Sequence, residues 1–330
     1  MKPNPLLVIV GPTGVGKTAL SLELARHLPC EIVSADSRQI YRGMDIGTAK
    51  PSPTERAQAP LHLLDLAEPD QVVTLAQYQA LTYETIDSIL SRGHLPILVG
   101  GTGLYVKAVI EGWTVPRVPP NPTLREKLTQ MARQQGAETL HRRLAEVDPQ
   151  AARKIDPLNV RRVVRALEVY EETGRPFSHY QRRNPPPYQA LTLGLTMPRQ
   201  ELYRRLDHRV DQMIASGLVE EVRQLLEAGY APDLPAMTGL GYKEVTLHLR
   251  GDLTLDQAIN LLRRNTRRFV RHQYNWFRLD DPAITWFDAR DPETAQKTLT
   301  QVCQFLARIG WSPRSSQPKA ECDCKAKAVP

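Results

Sequence analysis

Cysteine is scarce in this chain: four among 330 residues, at Cys30, Cys303, Cys322 and Cys324. Scattered in that way they form no disulfide framework, and 330 residues are enough for a large core or for two domains. Cys322-Asp323-Cys324 lacks a second ligand pair and makes a poor zinc site. Ligand spacing is missing among the histidines too, and His62, His94, His141, His179 and His248 read as ordinary surface or packing residues. So are long apolar runs. "PLLVIV" is too short for the apolar part of a signal peptide and passes straight into a glycine-rich loop. Nothing approaches the roughly 18 apolar residues of a membrane span. A soluble, cytoplasmic protein with no membrane partner is expected, and no internal repeat is evident. The composition is otherwise ordinary for a globular protein, with 24% charged and 41% hydrophobic residues. The formal net charge is +7, which suits an anionic partner and a merely soluble basic protein equally well, so the distribution of charge must decide.

Short apolar segments alternate with helical spacing at the start of the chain. Residues 6–10, 31–35 and 96–99 read as buried strands, with "LHLLDL" at Leu61 a weaker one. Residues 17–28 and 75–90 read as helices, which makes an α/β domain with a parallel sheet. Two proline-rich seams, "EGWTVPRVPPNPT" and "RRNPPPYQ", enclose a mostly helical stretch. "ALTLGLTM" after the second seam looks like a strand that needs a sheet to join. The expected layout is a core at 1–115, an inserted helical domain at 116–187, a mostly helical second part of the core at 188–311, and a disordered tail at 312–330. Two successive domains are the alternative.

"GPTGVGKT" places Gly11, Pro12, Thr13, Gly14, Val15, Gly16, Lys17 and Thr18 between a strand and a helix, as a P-loop requires. Backbone N–H groups and the helix start would cradle a diphosphate, Lys17 would add a point charge, and the Thr18 hydroxyl would hold Mg²⁺. Asp36, at the end of the second strand, is either a turn cap or a functional acid on the same sheet edge as that loop. "GGTGLY" ends another strand with glycines and Thr102 where a motor-type ATPase often carries an acid. Arginines cluster in "VRRVVRALEVY" (Arg161, Arg162, Arg165) and in "LLRRNTRRFVRHQYNWFR" (Arg263, Arg264, Arg267, Arg268, Arg271). The second run has no acid between Arg263 and Arg278, unlike a solvated face of mixed sign, and it reads as a nucleic-acid or polyphosphate contact backed by Ile259, Leu262, Phe269 and Tyr274. Trp276 and Trp286 read as core.

Taken in order, "GPTGVGKT", "SADSRQIYRGMDIGTAKP", "GGTGLY", "RRVVRALEVY", "TGLGYKEV" and "NTRRFVRHQYNWFR" closely resemble the bacterial tRNA dimethylallyltransferases of the tRNA isopentenyltransferase family. The resemblance runs from about residue 6 to about residue 288. It implies a P-loop NTPase-like core with an inserted helical tRNA-clasping domain. It also implies transfer of a dimethylallyl group from dimethylallyl diphosphate to the exocyclic amine of adenosine 37, just 3′ of the anticodon, in tRNAs reading codons that begin with U. Asp36 matches the family's general base, Arg209 an arginine on the diphosphate, and Thr102 a residue near the target nucleotide. Asp36, Ser37, Arg38, Gln39, Thr102, Arg125, Arg161, Arg162, Val163, Val164 and Arg165 fall at tRNA-contacting positions, although Arg161 stands where other members carry glutamine. Mg²⁺ as cofactor and the tRNA anticodon stem-loop as partner are expected with this resemblance, and a monomer is expected, although the sequence does not give the oligomeric state. A nucleoside or small-molecule kinase stays open but leaves the arginine helices unexplained. A non-catalytic RNA-binding module leaves the intact Lys17, Thr18 and Asp36 unexplained.

Overall fold

Six residues with no polar side chain, Pro5–Val10, form β1, and every one of them is buried. A strand apolar on both faces belongs in the middle of a covered parallel sheet. In the computed structural model, which describes residues 4–313, β1 lies there. It is followed by α1 (Lys17–His27), β2 (Cys30–Ser34), α2 (Pro53–Arg56), β3 (Leu61–His62), α3 (Leu75–Ser91), β4 (Leu95–Val99) and α4 (Gly103–Ile110). Four helices come next: α5 (Pro122–Gln135), α6 (Ala137–Val147), α7 (Pro149–Lys154) and α8 (Val160–Thr173). The chain then returns to the sheet as β5 (Gln189–Thr196) and continues through α9 (Arg199–Ala215), α10 (Leu218–Glu227), α11 (Tyr242–Leu249), α12 (Leu255–Trp276), β6 (Ile284–Asp288) and α13 (Thr294–Arg308). The strands are ordered β3-β2-β4-β1-β5-β6 and pair in parallel throughout. "ALTLGLTM" does join the sheet: β5 runs beside β1 from Pro5 opposite Gln189 to Val10 opposite Gly194. The strand β6 and the helix α13 were not read from the sequence.

The chain divides into two compact units. One takes the chain through Val73, Ala80–Val106 and the chain from Pro187; the other takes Thr74–Gln79 and Lys107–Pro186. The first is built on the sheet, with Leu7, Ile9, Ile97, Leu193, Leu202 and Phe305 in one core, and on a second core of Ile40, Met44, Val222, Met237 and Tyr242. Ser216-Gly217 ends α9 and opens α10, Gly217 taking a φ of 99° that favours glycine. The second unit packs the apolar stripes of α5, α6, α7 and α8 together through Leu128, Leu140, Leu144, Ala151, Val163 and Leu167. Asn121, Asp148 and Asn159 cap α5, α7 and α8 by accepting from Leu124, Ala151 and Arg162 N–H groups. Residues 314–330, which include Cys322, Cys324 and most of the expected tail, lie outside the described residues.

His62 and His94 are not the ordinary residues the sequence suggested. Both reach Glu31 on β2, at 2.6 and 2.8 Å, and Arg92 donates to the same carboxylate twice, at 3.0 and 2.8 Å. Burial pushes the Glu31 pKa up, but these hydrogen bonds outweigh it and hold the group at about 2. A depressed carboxylate contributes stability above its unfolded pKa and loses it as the pH falls through the folded value, here toward pH 2. The shift corresponds to about 3 kcal/mol at neutral pH. Glu31→Gln should therefore lower unfolding stability by about 3 kcal/mol at pH 7, in urea unfolding, with the gap to wild type shrinking as the pH drops below about 4. A constant gap across that range would contradict this role.

Candidate active site

The carboxyl ends of β1, β2 and β4 lie side by side, so the loops that follow them share one edge of the sheet. After β1 comes the phosphate loop. Gly14 and Gly16 take φ values of 77° and 113°, open to glycine and strained for other residues, and α1 begins at Lys17. Lys17 folds back over the loop and donates from Nζ to the carbonyls of Gly11 (3.0 Å) and Pro12 (2.8 Å). Burial depresses its pKa to about 8; the Asp36 charge works against that shift and the Arg209 charge adds to it. The Thr18 hydroxyl stands one residue further along the first turn of α1, in the same cleft.

After β2 comes Asp36. Its Oδ1 accepts from the Arg38 N–H at 2.8 Å, so the turn-capping role and the cleft position are both real. Thr102, which follows the β4 glycines, accepts from the Ser37 N–H at 3.1 Å and is held in turn by its own N–H on the Ala35 carbonyl. That approach requires Gly100, where a Cβ would lie 2.1 Å from the Ala35 oxygen. Asp36, Ser37 and Thr102 are thus brought together. Arg38 turns elsewhere, while Gln39 lines the cleft with its amide engaged by neighbouring backbone. The Arg38 guanidinium donates to the Pro235 and Ala236 carbonyls, and the Gln39 amide donates to the Thr48 and Ala49 carbonyls while accepting from Ser34.

One face of α9 completes the cleft with Arg205, His208, Arg209 and Gln212, residues spaced to lie on one side of a helix. Arg209 is half-buried; desolvation lowers its pKa, while the charge of Asp36 raises it. Arg205, whose charge also depresses Arg209, was missed in the sequence. The cleft measures about 1170 Å³ and is lined by Lys17, Thr18, Asp36, Arg205 and Arg209 on the loop side. Its far rim, Asp45–Gly47, is held by Glu221, whose carboxylate accepts three successive backbone N–H groups at 2.9, 2.7 and 3.1 Å and the Tyr242 hydroxyl at 2.6 Å. No sequence motif pointed to Glu221.

A cleft that joins a phosphate-loop sequence, a carboxylate and two arginines invites comparison with known proteins. A family profile described as IPP transferase matches residues 39–280. The chain belongs to the IPP transferase family. A tRNA dimethylallyltransferase of Roseiflexus sp. strain RS-1 is 52% identical over 302 residues, covering 92% of this chain and 99% of that protein. The tRNA dimethylallyltransferase of Dehalococcoides mccartyi is 50% identical over 306 residues, 93% of this chain and 94% of that one. Among solved structures, the full-length tRNA isopentenylpyrophosphate transferase of Bacillus halodurans is 41% identical, with a TM-score of 0.68, covering 93% of this chain and 96% of that one. A eukaryotic dimethylallyltransferase acting on tRNA is 25% identical, with a TM-score of 0.76, covering 95% of this chain and 81% of its own. No described helix is long and apolar enough to cross a membrane.

In this IPP transferase the basic helices look different in three dimensions. On α8, Arg161 and Arg162 are exposed, whereas Val163 and Val164 are 0% and 5% exposed and their side chains pack the core of their unit. Arg125 and Arg165 both hold Glu168, a fully buried carboxylate that also accepts from the Asn121 N–H at 2.8 Å. Arg125 donates to it at 2.7 and 2.8 Å, and Arg165 also reaches the Val118 carbonyl at 3.1 Å. Those guanidinium groups tie α8 to the start of α5. The α12 stripe is partly neutralised from outside its own helix, because Arg263 pairs with Asp211 and Arg267 with Asp207, both on α9. Phe269, read as its apolar backing, is 40% exposed. Trp276 and Trp286 are half-buried, packed against Gly103 and Gly194, rather than fully in the core.

Proposed function

We propose that this protein transfers a dimethylallyl group from dimethylallyl diphosphate to the exocyclic amine of adenosine 37 in tRNAs reading codons that begin with U, releasing diphosphate. The observation that carries this reading is the placement of Asp36 on the cleft that holds the phosphate loop, close enough to Lys17 and Arg209 to influence both, with Gly100 and Gly101, which follow β4, lining the same cleft. A carboxylate so placed can take a proton from an amine while the cations beside it receive a departing anion.

The amine of adenine is a weak nucleophile because its lone pair is delocalised into the ring. Its nitrogen forms a bond to C1 of the allylic group as the C1–O bond breaks. The electron pair of that bond leaves with the diphosphate oxygen, and the amine proton passes to Asp36. Lys17, Arg209 and the loop N–H groups stabilise the charge that accumulates on the leaving group, and Arg205 stands beside them. Thr102 steadies the backbone after Asp36 and offers its hydroxyl to the nucleotide. The target base must leave the anticodon-loop stack to reach this carboxylate. Mg²⁺ fits here as a partner of the donor: the Thr18 hydroxyl is a hard oxygen ligand, and among the described residues no cluster of three His, Cys, Asp or Glu side chains holds a metal without substrate phosphates. When bound, it supplies further charge neutralisation for the diphosphate.

The test is label transfer from isotopically labelled dimethylallyl diphosphate to unmodified tRNA, beside the same tRNA carrying guanosine at position 37. Label in the first and none in the second supports the reading. ATP hydrolysis with no label in either tRNA overturns it in favour of a kinase.

Lys17 sets the pH dependence of donor binding. With a pKa of about 8 in the free protein, it is charged below that pH. A bound diphosphate favours the charged form, so binding takes up a proton above pH 8. Affinity for inorganic diphosphate, taken as the ratio of wild type to Lys17→Arg so that the ionisation of the ligand cancels, should hold steady below about pH 8 and fall by up to about tenfold per unit above it, by titration calorimetry. A ratio flat to pH 10 would refute the assignment. For tRNA, the exposed pair Arg161 and Arg162 is the fitting target on α8, since removing Arg165 would also take away one of the partners of the buried Glu168 and disturb the packing of its unit. Arg161→Ala with Arg162→Ala should weaken tRNA binding and reduce the slope of log affinity against log salt by about 1 to 2. An unchanged slope would place the tRNA backbone elsewhere.

A further inference from the structure

Gln273 sits in the middle of the arginine-rich stretch of α12, yet it is only 4% exposed and faces inward. Its amide makes two hydrogen bonds to segments far away in sequence. The oxygen accepts from the Thr13 N–H in the phosphate loop at 2.8 Å, and the nitrogen donates to the Gly101 carbonyl at 3.0 Å. Gly101 leaves room for this contact and no more: a Cβ there would lie 2.2 Å from the Gln273 nitrogen. The residue after Gly101 is Thr102, which accepts from the Ser37 N–H beside Asp36. One buried amide therefore joins the loop that would cradle the leaving group to the segment that fixes the base. It also removes the Thr13 N–H from the set available to phosphate and holds the following loop N–H groups in one arrangement.

We propose that Gln273 is a positioning residue that sets the separation between the diphosphate loop and Asp36. The proposal rests on the transferase reading above. Bond transfer needs the electrophilic carbon, the attacking nitrogen and the base in register, and a displacement of about 1 Å costs on the order of a hundredfold in rate. The Gln273 amide suits this position because it supplies a donor and an acceptor at once to loops that follow two neighbouring strands.

The test compares wild type with Gln273→Met, which preserves length and removes both hydrogen bonds, and with Gly101→Ala, which leaves Gln273 in place but drives its amide away. Rates are measured at saturating substrates per folded, titrated active site, so that a loss of folded protein does not register. Both variants should lower kcat about ten- to a hundredfold, weaken inorganic diphosphate binding about tenfold, and leave tRNA affinity unchanged. The double variant should be no worse than the more damaged single one, because both act on one contact. Wild-type kcat per site in Gln273→Met, or independent multiplication of the two defects, would overturn the proposal. Diphosphate affinity is read without any transfer, so an unchanged value in Gln273→Met overturns it even if wild type transfers no label, an outcome that would separately remove the transferase reading.

Discussion

Asp36→Ala should reduce the rate of transfer about a thousandfold, within the range of roughly 10² to 10⁴ that positioned proton transfer supplies, while tRNA binding stays close to wild type. The split between rate and binding follows from where the residue sits. Asp36 stands at the end of β2, a buried strand paired on both sides, and its Oδ1 is held by the Arg38 N–H at 2.8 Å. A rigid mount of that kind serves a group that must meet one atom of a substrate in one geometry. The exposed arginines proposed to meet the RNA backbone, Arg161 and Arg162 on α8, lie on another part of the chain, so their contacts are not expected to depend on this carboxylate. The same turn hydrogen bond has to be controlled for, since Ala removes it along with the base. Asp36→Asn keeps an oxygen for the Arg38 N–H but cannot accept a proton at neutral pH. It should be nearly as inactive as Asp36→Ala; recovery of most of the rate in Asp36→Asn would show that the turn, and not the base, was what the alanine variant lost.

Arg209→Ala is the second large effect, with an expected loss of about 10² to 10³ in kcat/KM for the donor. Arg209 is half-buried on the cleft face of α9, and burial lowers its pKa although the charge of Asp36 favours the protonated form. On the proposed reading, this guanidinium faces the diphosphate of the donor. Its planar fork suits two phosphate oxygens at once, which a lysine cannot reproduce, so Arg209→Lys should restore only part of the lost activity. Arg205 limits how far the loss extends, since it supplies a second guanidinium about one turn away on the same helix. Equal kcat/KM in Arg209→Ala and wild type would mean that diphosphate leaves by another route.

The parts of this site that were legible in the sequence are those encoded locally. The phosphate loop announces itself because three glycines, Lys17 and Thr18 stand together between a strand and a helix. Asp36 and Thr102 were readable because each closely follows a short apolar strand, and parallel strands present their carboxyl ends on one edge. Of the contributions from other helices, Arg209 on α9 came only through the family resemblance, and the rest were not readable. The arginine run of α12 shows no acid of its own, yet Asp207 and Asp211 neutralise two of its members across 60 and 52 residues of sequence. Nothing in the sequence around Arg125 and Arg165 shows that both pair with Glu168, which is buried between them. Gln273 is hidden in the same run because a single amide carries no periodic or compositional signal. The strand β6 escaped notice because its residues Ile284–Asp288 are half-buried or exposed, as befits the edge of the sheet, and do not form a continuous buried run.

The central claim is that the phosphate loop holds a leaving group and not a phosphoryl donor. Doubly labelled dimethylallyl diphosphate, with carbon label in the allyl group and phosphorus label in the diphosphate, tests it most directly. Incubated with the protein, Mg²⁺ and unmodified tRNA, it should yield one inorganic diphosphate for each allyl group found on the exocyclic amine of adenosine 37 after nuclease digestion and mass analysis. Phosphorus label in the tRNA or in a nucleoside, or diphosphate released with no allyl group on adenosine, would contradict the account.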